Sequence, residues 1–290
     1  MKHLLNITII SFLVVLTGCA GPGKHRDATE IFGLATERIG RMGENEFVAI
    51  RSGIIRMNKF QAVMDKSATS RTIAYDAPAP ADETARRVSA SKSLRHYGDL
   101  LMRLASDDRT QFVRKAAVTF ADSVGETLGG ELTAAQEEAI ASVIAGLDGY
   151  WSESRKTRTI RDVVLAYEGA VVAMADLLLA DLSLNGPDTF LGAYDATALR
   201  LQASAEAIID GGEAFGADER KKAVDAYYLA RGSRTRAQEI GRRIEAGIRT
   251  LKAVNAEIAS GARGGACDVA LIKEYGRQIQ KIANMQQVLP

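Results

Sequence analysis

Proline is nearly absent from the interior of this chain. Its five prolines, Pro22, Pro78, Pro80, Pro187 and Pro290, all sit near an end or in a short break between long runs. A proline inside a helix removes a backbone donor and clashes with the preceding turn, so proline-free runs leave the helix open to the chain. Those runs are rich in Ala, Glu, Arg, Lys and Leu, residues that lose little on entering a helix. Strand-type alternation is hard to find. The reading is all-α: an elongated antiparallel bundle of about five or six long helices, with a helical-repeat solenoid as the alternative.

The apolar residues support this. From Ile31 through Ala35, Ile39, Met42, Phe47, Ile50, Ile54 and Met57 to Met64 they fall at helical spacing, which lays one stripe along a helix from about Asp27 to Ser67. A proline-broken linker follows, with Asp82 as a helix cap, and a second helix spans about Glu83 to Leu128. Its stripe includes Val88, Leu94, Tyr97, Leu101, Leu104, Phe112 and Phe120, "SDDRT" is a possible kink, and Gly129-Gly130 ends it. Thr133 and Gln136 have capping-box spacing. Unbroken, residues 134–185 would run about 78 Å, and Gly146 or Gly149 offers a bend. A fourth helix is expected near Asp188, a fifth from Asp218 to about Ser260, and a last one capped by Asp268. "DGYWSESRKTRTI" and "DAYYLARGSRTRAQEI" echo each other loosely, but no fixed repeat extends beyond them.

The amino terminus carries a different signal. Lys2 and His3 precede an apolar stretch from Leu4 to Leu16, the length of a signal-peptide core and shorter than a spanning helix needs. Leu16-Thr17-Gly18-Cys19 then resembles the lipobox of bacterial lipoprotein precursors. That resemblance covers only about twenty residues. It implies cleavage after Gly18 and lipidation of Cys19, whose acyl chains hold the protein to a bilayer. Ala20, where lipoproteins kept in the inner membrane usually carry Asp, favours the outer membrane, facing the periplasm. The expected organisation is residues 1–18 as signal peptide, 19–26 as a flexible tether and 27–290 as one helical domain.

The chain has 37 basic and 36 acidic residues, and loss of Lys2 with the signal would equalise them. A balance of this kind has no electrostatic footprint for nucleic acid. Three histidines are too few for most metal sites in helical bundles, and no cofactor or metal is expected. His96 stands alone without an acid three or four residues before it and reads as a surface or hydrogen-bonded side chain. No Gly-x-Ser-x-Gly supplies a nucleophile, and "GGEAFG" and "GARGG" lack the Lys-Ser/Thr ending of a phosphate loop. Cys267 reads as a small residue after a glycine loop. Glu168, Asp176 and Asp181 interrupt the most apolar segment, residues 163–184, and read as its solvated edge. The basic groups Arg155, Lys156, Arg158, Arg161 and Arg231, Arg234, Arg236 read as salt-bridged faces, with anionic lipid or an acidic partner as the alternative.

No catalytic residues are therefore assigned. The expected function is a lipid-tethered interaction or scaffold module with an envelope protein as partner, an inhibitor or immunity-like role being one form of it. The alternatives are a membrane-active or pore-forming bundle, in which segment 163–184 leaves the core, and, less favoured, an enzyme.

Overall fold

The computed structural model describes residues 22–64, 74–106, 110–130, 132–147, 152–184, 186–264 and 268–286. The expected signal peptide, Cys19 and Cys267 lie outside the described residues. The fold is all-α: α1 (Pro22–Met64), α2 (Ala81–Ala105), α3 (Thr110–Leu128), α4 (Ala134–Gly146), α5 (Glu153–Asp181), α6 (Phe190–Asp210), α7 (Ala217–Arg236), α8 (Arg242–Ala262) and α9 (Val269–Gln286). A π-helical turn, Ala237–Gly241, joins α7 to α8 without a break.

Several boundaries differ from expectation. Residues 22–26, expected in the tether, open α1. Proline is suited to the first helical position, where its fixed φ is already helical and its missing N–H would have no partner. The expected helix from Glu83 to Leu128 is two, because Ser106 turns extended (φ −76°, ψ 167°) and its hydroxyl bonds Arg103 O. The long run after Thr133 also divides. Thr133 does form the capping box with Gln136, but α4 ends at Gly146 and Ser152 caps a new helix by accepting from Arg155 N–H. Asp82 and Asp218 lie inside first turns instead of capping them, since Pro80 and Gly216 occupy the cap positions. Asp268 caps α9, accepting from the N–H groups of Ala270 and Leu271. Gly129 ends α3 at φ +65°, donating its N–H to Gly125 O.

Helix α1 is the element on which the rest is arranged. It packs against α2 along most of its length and also meets α5, α6, α7, α8 and α9. Gly33 lies against Met102 and Gly40 against Arg95, so α1 and α2 are antiparallel. The pairs α2/α3, α5/α8 and α6/α7 are antiparallel too, as Ser93–Thr127, Arg263–Glu168 and Arg234–Asp195 record. The antiparallel expectation fails for α6 and α9 against α1. Phe47 meets Phe190 and Gln61 meets Ser204, while Arg38 meets Gln280, so both helices run parallel to it. Short connections force antiparallel neighbours, and helices far apart in sequence escape that rule.

The apolar stripes of the sequence form the core. Ala35, Ile39, Met42, Phe47, Ile50, Ile54 and Met57 of α1 are buried, and so is Phe32 beside them. One stripe residue fails: Phe112 is exposed against the Arg103 guanidinium, and Val113 takes the inward position. Inside, aromatic rings pass from helix to helix. Tyr275 of α9 meets Phe32 of α1 at 6.0 Å, Phe32 meets Tyr97 of α2 at 6.3 Å, Tyr97 meets Phe120 of α3 at 5.3 Å, and Phe120 meets Tyr167 of α5 at 4.6 Å. The Phe32–Tyr97 pair is edge-on and the other three are tilted, so none is the face-to-face sandwich that aromatic pairs avoid.

The three tyrosines of this chain of rings set an alkaline limit. Burial raises the Tyr97 and Tyr275 phenols well above their ordinary value, and burial together with Glu137 pushes Tyr167 up to about 12. Folded protein therefore keeps protons that the unfolded chain releases above about pH 10, so stability is full below that pH and falls as pH rises through it. The urea midpoint is expected to hold up to about pH 10 and to drop steeply above it. An unchanged midpoint well above that pH would show that these hydroxyls are not sealed.

Candidate functional site

A cleft of about 810 Å³ lies where α1, α6 and α7 meet beside the π turn. Ala49, Ser52, Gly53 and Arg56 recur three and four residues apart, so one face of α1 forms a wall. Tyr228, Arg231 and Thr235 recur likewise on α7 and form the opposite wall. Tyr194 of α6 closes the floor. Its ring sits so near α1 that a Cβ at residue 53 would lie 2.6 Å from it, so glycine there is what admits the ring. The Tyr194 side chain hydrogen-bonds Ser233, and burial raises its phenol pKa. The π turn inserts one extra residue into its helical turn and places Gly241 against Leu191 of α6, where a Cβ would be 2.5 Å from a leucine methyl. Single π turns of this kind occur often at functional sites.

Behind the cleft lies a buried ion pair. The Glu46 carboxylate, fully buried, accepts from Arg236 Nη2 at 2.7 Å and Nε at 3.2 Å. Burial alone would lower the arginine pKa, but the hydrogen bonds and charge of Glu46 outweigh it and raise the pKa. Arg236 is thus neutralised from within. The other two arginines of the cleft, Arg56 and Arg231, are exposed and have no ion-pair partner among the described residues, and no carboxylate lines the cleft. This contrasts with much of the surface, where Arg41, Arg87, Arg95, Arg103, Arg243, Arg249 and Arg263 are each held by an acid.

The basic cluster on α7 therefore divides. Arg234 pairs with Asp195 at 3.2 Å and Arg236 with Glu46, as a salt-bridged face requires, whereas Arg231 opens into the cleft. The earlier cluster splits differently, with Lys156 buried and Arg155, Arg158 and Arg161 exposed. Glu239, close to the α7 cluster in sequence, pairs with Arg243.

The three acids of the apolar segment, Glu168, Asp176 and Asp181, do not meet. Glu168 binds Arg263 at 2.6 Å and Asp176 binds Lys252 at 2.6 Å, both toward α8. Asp181 is not a solvated edge. It is buried and takes two bonds from Arg87 of α2, at 2.8 and 2.9 Å. A single acid near the end of an apolar helix is buried because a cation from the neighbouring helix reaches it, which periodicity within α5 cannot show.

His96 is half-buried in a smaller cleft with Glu37, Asp99, Arg41 and Arg103. Burial, then the charges of Arg95 and Lys92, lower its pKa. Asp99 is bound by Arg103 and Glu37 by Arg41, and the hydrogen-bond partner of the ring is Arg95 at 3.3 Å. An imidazole that acts as a base is normally oriented by a carboxylate, and here both nearby carboxylates are already bound by arginines. Among the described residues there is no group of three or more His, Cys, Asp and Glu side chains placed to hold a metal ion.

Sequence reasoning passed over Glu46, Arg56 and Tyr194. Glu46 had a signal, since it interrupts the apolar stripe midway between Met42 and Ile50 and so had to face inward. Fold and cleft together define a class: an all-α protein with an open cationic groove beside a π turn. Comparison with protein-family models, curated proteins and solved structures gives no match.

Proposed function

We propose that this chain is a lipid-anchored helical binding protein of the bacterial envelope, tethered to the outer membrane through Cys19 and facing the periplasm. It holds a partner protein and does not turn over a substrate. The observation that supports this best is the cleft, where Arg56, Arg231 and the 64% exposed Tyr228 stand open to solvent. Arginine and tyrosine are the residues that most often anchor protein interfaces. The packing favours a bundle over a solenoid, because α1 meets α9 whereas stacked repeats touch only their neighbours. The anchor rests on the Leu16-Thr17-Gly18-Cys19 pattern.

The experiment is fractionation of cells expressing the full chain or Cys19→Ser, followed by crosslinking in the cell. The full chain should partition with outer membranes and carry acyl chains on Cys19 by mass spectrometry, and the variant should be released. An unmodified thiol on membrane-bound protein would end the anchor reading. Repeated failure to capture any envelope protein would end the interaction reading.

One observation favours a second reading. Within residues 154–181 of α5 an 18-residue window has a mean hydropathy of 1.9, apolar enough by length and composition to cross a membrane. Against insertion stand Val163, Val164, Tyr167, Val171, Met174 and Leu178, all buried, and the three ion pairs that α5 would have to break. Dye release from vesicles by the purified mature protein would favour this second reading.

A further inference from the structure

We infer that the cleft between α1, α6 and α7 binds an acidic segment of a partner protein, with carboxylates on Arg56 and Arg231 and an apolar side chain packed in the cleft beside them. The inference rests on the binding-protein reading above and adds the chemistry of what is bound. Charge carries it first. In a chain whose acids and bases nearly balance, this cleft is lined by three arginines and no carboxylate, and only Arg236 is neutralised. A free guanidinium offers a planar fork of donors that matches a carboxylate in two parallel bonds.

Shape and composition carry it next. The cleft volume of about 810 Å³ fits a few side chains of a segment laid into it. Ala49, Gly53 and Gly232 keep its walls low, and a Cβ at residue 232 would meet nothing within 4 Å. Ala49 and Leu229, both partly exposed, supply apolar contact, and Tyr228 on the rim supplies a large, rigid amphipathic ring. A bare membrane surface would not enter such a recess, and a lone phosphate would leave its apolar lining unused.

The test uses the full mature chain and a fluorescein-labelled peptide of alternating Glu and Leu, read by anisotropy, with the Gln-for-Glu peptide as comparison. The acidic peptide should bind saturably, weaken with added salt and lose about tenfold in affinity with Arg56→Gln or Arg231→Gln. Arg249→Gln, which removes the same charge from α8, should leave binding unchanged. Equal binding of the Gln peptide, or unchanged affinity in both cleft variants, would overturn the inference. So would binding of phosphatidylglycerol vesicles, blocked by the same substitutions, in place of the peptide. A photocrosslinker at Tyr228 should capture an Asp- or Glu-rich peptide of the partner, and one at exposed Val118 should not. Capture at Val118 alone would sink this inference while leaving the binding-protein reading standing.

Discussion

Gly98→Ala is expected to destabilise the protein by about 3 kcal/mol, and hence to lower its melting temperature by about 10 °C. Gly98 of α2 faces Gly33 and Glu37 of α1, and an added Cβ would lie 2.5 Å from the Gly33 carbonyl and closer still to the Glu37 nitrogen. The reciprocal contacts are equally close. A Cβ at residue 33 would be 2.6 Å from Met102 N, and one at residue 40 would be 2.5 Å from Arg95 N. These obstacles are backbone atoms, which cannot rotate aside as a side chain can. The two helices must separate, and α1 carries contacts to most of the fold with it. Gly169→Ala is the control: it lies mid-helix in α5 with nothing within 4 Å, and should be neutral or gain up to about 1 kcal/mol from better helix propensity. Equal melting temperatures for the two variants would show that α1 and α2 are not in backbone contact.

Arg236→Met is expected to cost about 3–5 kcal/mol, because it strands the fully buried Glu46 carboxylate without a partner. The double variant Glu46→Leu/Arg236→Met should recover most of that loss, since apolar replacement of a buried pair is often neutral or better. Urea melts of the two single variants and the double close the cycle. Additive losses would mean that Glu46 has another partner. The same pair aligns α1 with the end of α7, so the single variant should also weaken whatever the cleft binds.

Much of the local structure could be read from the chain before any tertiary contact was known. The apolar period in α1 named seven of its buried residues, and the Thr133–Gln136 and Asp268 caps formed as their spacing required. These features depend on residues within one or two turns of each other. Helix ends were less legible. Ser106 ends α2 outright at the "SDDRT" stretch read only as a kink, Ser152 starts a new helix in a run read as continuous or bent, and Pro22 starts a helix inside the expected tether. The cleft was half visible. Arg231, Arg234 and Arg236 stood out as a cluster, but their partners Asp195 and Glu46 lie on other helices.

The sequence by itself determined that the chain is helical, which face of α1 and of α2 turns inward, and that a cysteine, Cys19, follows an apolar stretch near its start. Helical period is a property of neighbouring side chains, so it survives without knowledge of the fold. Only the tertiary structure decided which arginine stays free, that Asp181 is buried, and that Gly33, Gly40 and Gly98 bring two backbones together. Each of those depends on a residue far away in the chain that packing alone delivers, and a glycine reads as a weak point in a helix until the neighbour that requires it is in place.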